Sequence, residues 1–275
     1  RLARAVPRGA RVLSLFAGHG SQQPDEPGGD EADGTDEILL PADSGRWDPN
    51  VNGISNAITD DEIRVRLRAL RDAGAEVFAV FDCCHSGTIM RGTPDAEVRP
   101  DFGPVRARGL PPDLLGVPRA VSVGAARGGV ERVGGVLQAD RETVAGIAAI
   151  SAAHSWEQAP EMVLPHGRSA SGREAHGLCT FQVARALQYY GGRLTIAEIF
   201  AHVRAAYASM PWREATPVVE GDLSLRVTSG VAAGAPVLLL RREAGRLLLD
   251  AGSLRGLTVG SVLEAYRLGG FGDPT

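Results

Sequence analysis

A histidine and a cysteine each close an apolar run, and those two side chains form a set capable of nucleophilic chemistry. Arg11-Val-Leu-Ser-Leu-Phe-Ala-Gly18 delivers His19, and Glu76-Val-Phe-Ala-Val-Phe-Asp82 delivers Cys83, Cys84 and His85. A thiol attacks as thiolate, so a catalytic cysteine needs a neighbouring base and access to substrate. His19 can be that base. Gly20 lets the main chain approach a bound carbonyl, which makes the backbone N–H groups of Cys84 and Gly20 candidate donors to a developing oxyanion.

The elements around them must bring the two groups together. Val77 to Phe81 lack polar alternation, as expected of a parallel strand buried on both faces, and chemistry in open α/β sheets gathers beyond the carboxyl ends of such strands. Ile63, Leu67 and Leu70 recur at helical spacing, with Thr59 or Asp60 as cap and Gly74 as stop. A right-handed strand–helix–strand crossover then leaves both strand exits on one edge of the sheet. The two-residue period sets Asp82 on the face of Cys84 and turns Cys83 to the other. Asp82 is therefore a candidate lining of the pocket for the residue preceding the cut.

Phe16-Ala-Gly-His-Gly-Ser-Gln22 and Asp82-Cys-Cys-His-Ser-Gly87 resemble the paired motifs of metacaspases and other bacterial caspase-like peptidases. The resemblance implies an α/β fold, a caspase-like three-layer α/β/α sandwich with a mostly parallel sheet. It implies a cysteine endopeptidase with a His19–Cys84 dyad that cuts protein or peptide substrates after basic residues. Asp82 would pair with the basic residue, Ala17 stands where the family commonly has serine, and Ser151 is a further pocket candidate. Ile58-Thr-Asp-Asp-Glu-Ile63 matches the acidic phrase that helps bind an activating calcium, which makes Asp43, Asp60 and Asp61 its candidate ligands. The chemistry itself needs no cofactor. The rival class is a catalytically silent caspase-like binding module, and a third reading is a sibling peptidase with another specificity.

Composition narrows the partners. A formal net charge of −4 gives no basic footprint for nucleic acid, and no apolar run is long enough to cross a bilayer. The 275 residues contain three cysteines, two of them adjacent. That pattern suits a reducing, cytoplasmic setting better than a disulfide framework, and its spacing does not suit zinc. No export signal is read in the first residues. All 29 basic residues are arginine, so any self-cleavage after a basic residue follows arginine.

Along the chain, residues 1–225 are expected to form the peptidase-like domain and 226–275 the start of a small β-rich module. Caspase-like domains carry further strands ahead of the histidine strand, and their loss would leave an apolar parallel edge exposed. Residues 89–143 are read as one long loop, rich in Pro and Gly, offering Arg91, Arg99, Arg106, Arg108, Arg119, Arg127, Arg132 and Arg141 as exposed cleavage points. A buried strand at 144–151, helices at 177–190 and 195–210, a closing phrase at 215–221, a hairpin around 243–245 and a strand at 261–266 complete the expectation.

Overall fold

The computed structural model describes residues 2–25, 34–84, 97–99, 103–118, 146–155, 157–164, 174–190, 192–209, 215–228, 240–243 and 246–249. Its helices are α1 (Leu2–Ala5), α2 (Asp60–Asp72), α3 (Leu178–Tyr190) and α4 (Ile196–Ser209). The strands up to the cysteine are β1 (Arg11–Ala17), β2 (His19–Pro24), β3 (Thr35–Leu40), β4 (Trp47–Asp48), β5 (Gly53–Ile54), β6 (Ile58–Thr59) and β7 (Glu76–Asp82). Beyond it follow β8 (Glu97–Arg99), β9 (Gly103–Ala107), β10 (Ile147–Ser151), β11 (Pro160–Leu164), β12 (Glu174–Gly177), β13 (Val218–Gly221), β14 (Leu240–Glu243) and β15 (Arg246–Leu249).

The central sheet runs β1-β7-β10-β13, with β1, β7 and β10 parallel and β13 antiparallel at one edge. Alternation along β7 divides the core in two. Val77, Ala79, Phe81 and Cys83 pack with Ile63, Leu67 and Leu70 of α2. Phe78, Val80 and Cys84 pack on the opposite face with Leu178 and Val183 of α3 and Ile196, Ile199 and Val203 of α4. The molecule is thus a three-layer α/β/α sandwich around a mostly parallel sheet, as the sequence implies. α2 is the crossover: Thr59 Oγ1 accepts from the N–H of Glu62 at 3.2 Å, three acidic residues fill its first turn, and each favours the positive end of the helix dipole.

Among the described residues β1 is the other edge of this sheet, bonded to β7 alone. Leu13 and Leu15, on the face that α3 and α4 cover elsewhere, are 46% and 48% exposed, so the expected apolar edge is present. The arginines of α2 do not all form a solvated face. Arg64 is buried and ion-paired to both Asp60 and Asp61.

The long connection after Cys84 is more structured than its Pro and Gly content suggests. β8 and β9 join β11 and β12 in a second, antiparallel sheet. Leu115 and Val117 then bury against Ile38 and Ile54 in a third apolar cluster. Propensity alone hid these strands because β9 is anchored by β11, more than 50 residues away, and pairing across the fold outweighs local breakers. Residues 85–96 and 119–145, with Arg91, Arg119, Arg127, Arg132 and Arg141, lie outside the described residues, as does the strand expected at 261–266. Both helices after β12 match their expected spans to within a residue or so, and β14 and β15 form the expected hairpin.

Candidate active site at the β1–β7 edge

β1 and β7 pair residue for residue from Arg11↔Glu76 to Ala17↔Asp82, and the N–H of Gly18 donates to the Asp82 carbonyl at 3.3 Å. Past Gly18 the chain leaves β1, and His19 opens β2, which pairs with β3. The chain packs so closely there that a Cβ on Gly20 would overlap the carbonyl oxygen of Cys84. His19 is exposed at the rim, whereas Cys84 is 1% exposed.

The sulfur of Cys84 is occupied by another element. Its Sγ accepts from the Ala159 N–H at 2.8 Å and lies 3.7 Å from the Ala159 carbonyl. Ala159 is held by its own loop: Glu157 accepts from the N–H of His154 at 3.2 Å and from the N–H and hydroxyl of Thr216 at 2.6 and 2.9 Å. Burial pushes the Cys84 thiol up to about 11, against the pull of the Ala159 and Arg108 backbone contacts. In this arrangement the thiol is neutral. Cys83 and Cys179 are fully enclosed, and burial raises both well above the ordinary thiol range, so they serve packing.

The candidate oxyanion donors converge. The N–H groups of Cys84 and Gly20 both donate to one acceptor, the carbonyl oxygen of Arg108, at 2.8 and 3.3 Å. The Arg108 side chain enters the adjoining pocket. Its Nη2 lies 3.0 Å from Glu161 Oε2, and its Nη1 donates to the Asp82 carbonyl at 3.3 Å. Arg108 is only 9% exposed, which corrects its placement among the exposed cleavage points. Burial, a charged pocket and two strand exits therefore meet at one place.

The pocket residues expected from sequence fare differently. Asp82 is buried on the face of Cys84, as its register requires, but its carboxylate caps α3 by accepting from the N–H of Thr180 at 2.6 Å. Burial raises its pKa, partly offset by that bond and by the charge of Arg108. The carboxylate that ion-pairs with the guanidinium is Glu161. No motif or spacing marks Glu161 in the sequence; the pairing of β11 with β9 is what brings it here, opposite Arg106. Ala17 ends β1 beside Asp82 and is exposed. Ser151 falls out of the pocket: alternation sets it with Ile147 and Ala149 on the α2 face, and it pairs with Phe81. Its side chain is turned from Cys84 by the same two-residue period that selects Asp82.

The acidic candidates also separate. Asp43 bonds Asn56, its Oδ2 accepting from Nδ2 at 3.4 Å, and takes no part in the cluster. Asp60 lies instead near Asp36 and Asp25. Burial and these two like charges raise Asp36 to about 7. Arg64 pairs with Asp60 and Asp61, so a cation already neutralises the side they share. Among the described residues no three His, Cys, Asp or Glu are arranged to hold a metal ion. The donor set therefore does not fit calcium as it stands, and no chemical step is routed through one. Also among the described residues, no helix is long and apolar enough to cross a membrane.

Residues 1–92 match the profile of the metacaspase, peptidase C14 domain. Metacaspase-2 of Arabidopsis thaliana is 43% identical over 82 residues, 30% of this chain and 18% of that protein. This segment is thus similar to the metacaspase peptidase domain. Metacaspase-3 of the same plant is 46% identical over 76 residues, 27% of this chain and 18% of the relative. Metacaspase-1A of Aspergillus fumigatus is 41% identical over 76 residues, 27% and 16% of the two chains. The match thus spans under a fifth of each of these relatives. They are plant and fungal proteins, so they carry the metacaspase part of the resemblance and not its bacterial part. The metacaspase segment contains His19, Gly20, Asp60, Asp61, Asp82 and Cys84, while Arg108, Ala159 and Glu161 lie beyond it.

Proposed function

We propose that the chain is the core of a cysteine endopeptidase that hydrolyses peptide bonds after basic residues, arginine above all. The observation that carries this reading is the convergence of the Gly20 and Cys84 N–H groups on a single carbonyl oxygen beside the sulfur, with His19 the residue before Gly20. Two donors fixed on one oxygen stabilise a charge that grows in the transition state, at no reorganisation cost when it forms. His19 takes the Cys84 proton, and the sulfur attacks the scissile carbonyl to give a tetrahedral oxyanion. The imidazolium then protonates the departing amine. Water, activated by the same imidazole, cleaves the thioester and restores the thiol. Glu161 and the Asp82 carbonyl offer a basic side chain an ion pair and a hydrogen bond.

Self-processing, in this reading, falls on arginines between Arg91 and Arg141 and would be seen as new termini by mass spectrometry. Residues 1–225 make up the peptidase-like domain and 226–275 the start of a small β-rich module, a reading supported by β14 and β15, which among the described residues pair only with each other.

The deciding assay measures turnover of an arginyl fluorogenic peptide, with and without calcium, by the chain and its Cys84→Ala variant. Turnover lost in the variant supports the peptidase. Absence of turnover under both conditions supports the silent module, a reading favoured by the enclosed, protonated thiol. Turnover confined to aspartyl or asparaginyl peptides points to a sibling specificity.

A further inference from the structure

The segment after β9 lies where a substrate would lie. The Arg108 N–H donates to the Ala159 carbonyl at 3.0 Å, as an extended peptide does when it adds to a free strand edge. The Arg108 carbonyl fills the Gly20–Cys84 cradle, and its guanidinium fills the pocket at Glu161. The following residue covers the sulfur: a Cβ on Gly109 would stand 2.8 Å from Cys84 Cβ and 3.5 Å from Sγ. Beyond it the chain is pinned to the histidine strand. The Leu110 N–H donates to the Gly20 carbonyl at 3.0 Å, and the hydroxyl of Ser21, a fully buried residue, donates to the Leu110 carbonyl at 2.7 Å. Every place a scissile peptide needs is taken: cradle, pocket, and main-chain partners on both sides of the bond.

We infer that Arg106–Leu110 is an internal plug, with Arg108 seated as the residue before the cut and the Arg108–Gly109 bond lying intact over Cys84. Substrate is admitted only when this segment lifts away. The inference rests on the peptidase reading for the meaning of the seat but not for the seat itself, which is a set of contacts. Displacement, not hydrolysis, is the release step. The sulfur is turned to the Ala159 N–H, and the pins at Ser21 and Gly20 hold the far side of the bond in place.

The test is native-state pulse labelling of the whole chain with iodoacetamide, read residue by residue by mass spectrometry, for the wild type, Arg108→Ala and Ser21→Ala. Cys83 and Cys179 report folding in the same sample, because both are buried in the core and label only if the protein opens globally. The expected result is slow labelling of Cys84 in the wild type, at least tenfold faster labelling in both variants, and no change at the other two cysteines. Equal Cys84 rates in the wild type and in a variant whose core cysteines stay protected would overturn the plug. So would a new amino terminus at Gly109 in freshly prepared wild-type chain, since the segment would then be consumed as substrate. The two readings fail separately: unchanged labelling with arginyl turnover removes the plug and keeps the peptidase. Accelerated labelling without turnover keeps the plug and removes the peptidase.

Discussion

Asp36 makes the stability of this fold depend on pH in a direction opposite to that of most carboxylates. It is buried in β3 with Asp25 and Asp60 nearby, and burial followed by these charges raises it from 3.8 to about 7. Below pH 4 it is protonated in both the folded and unfolded chain and contributes no difference. Between pH 4 and 7 the unfolded chain has released the proton and the folded chain keeps it, so stability falls as pH rises through this window; above 7 the full penalty is present. At about 1.4 kcal/mol per tenfold change in proton affinity the bound is roughly 4 kcal/mol, and solvent screening in the cluster reduces it to about 2. Asp36→Asn removes the charge and keeps the shape. Urea denaturation of both proteins at pH 5 and pH 8 should show the variant gaining about 1–3 kcal/mol on the wild type between the two values. A stability difference that stays constant across that range, or moves the other way, would refute the reasoning.

Two further outcomes follow from packing. Gly177→Ala forces a Cβ within 2.6 Å of three atoms of the Asp82 carboxyl group, which must give up the Thr180 N–H. The expected cost, roughly 2–4 kcal/mol from overpacking and a lost buried charge-assisted bond, is read from denaturant midpoints, and an unshifted midpoint would contradict the cap. Replacing Leu13 and Leu15 by Thr on the exposed face of β1 should change stability by only about 0.5 kcal/mol. It should also lower the aggregation measured by light scattering, and unchanged scattering would show that this edge does not drive association.

The candidate pair His19 and Cys84 could be named and the central sheet was legible because both depend on local signals. Continuous apolar runs ending at Gly18 and Asp82 mark parallel strands, though only β7 is buried and β1 leaves one face open; the helical spacing of Ile63, Leu67 and Leu70 marks the crossover between them. Asp82 could be placed on the face of Cys84 from the two-residue period, and the same period would have excluded Ser151 had its strand start been known. Asp43 entered the acidic set through the family resemblance. Asp36, seven residues earlier, is the one that the β3–β6 pairing sets against Asp60.

A single strand's residues suffice to say where a histidine and a thiol leave the sheet, because periodicity and burial are written into consecutive side chains. What fills the space over that thiol is a different kind of fact. Arg108, Gly109, Ala159 and Glu161 come from segments 24 to 77 residues downstream of Cys84, in runs rich in Pro, Gly and charge that carry no periodic signal. Only the folding of β9 onto β11 brings an arginine carbonyl to the two N–H groups and its guanidinium to a carboxylate. Long-range strand pairing is decided by the sum of contacts across the whole molecule, so the occupancy of the site belongs to tertiary structure.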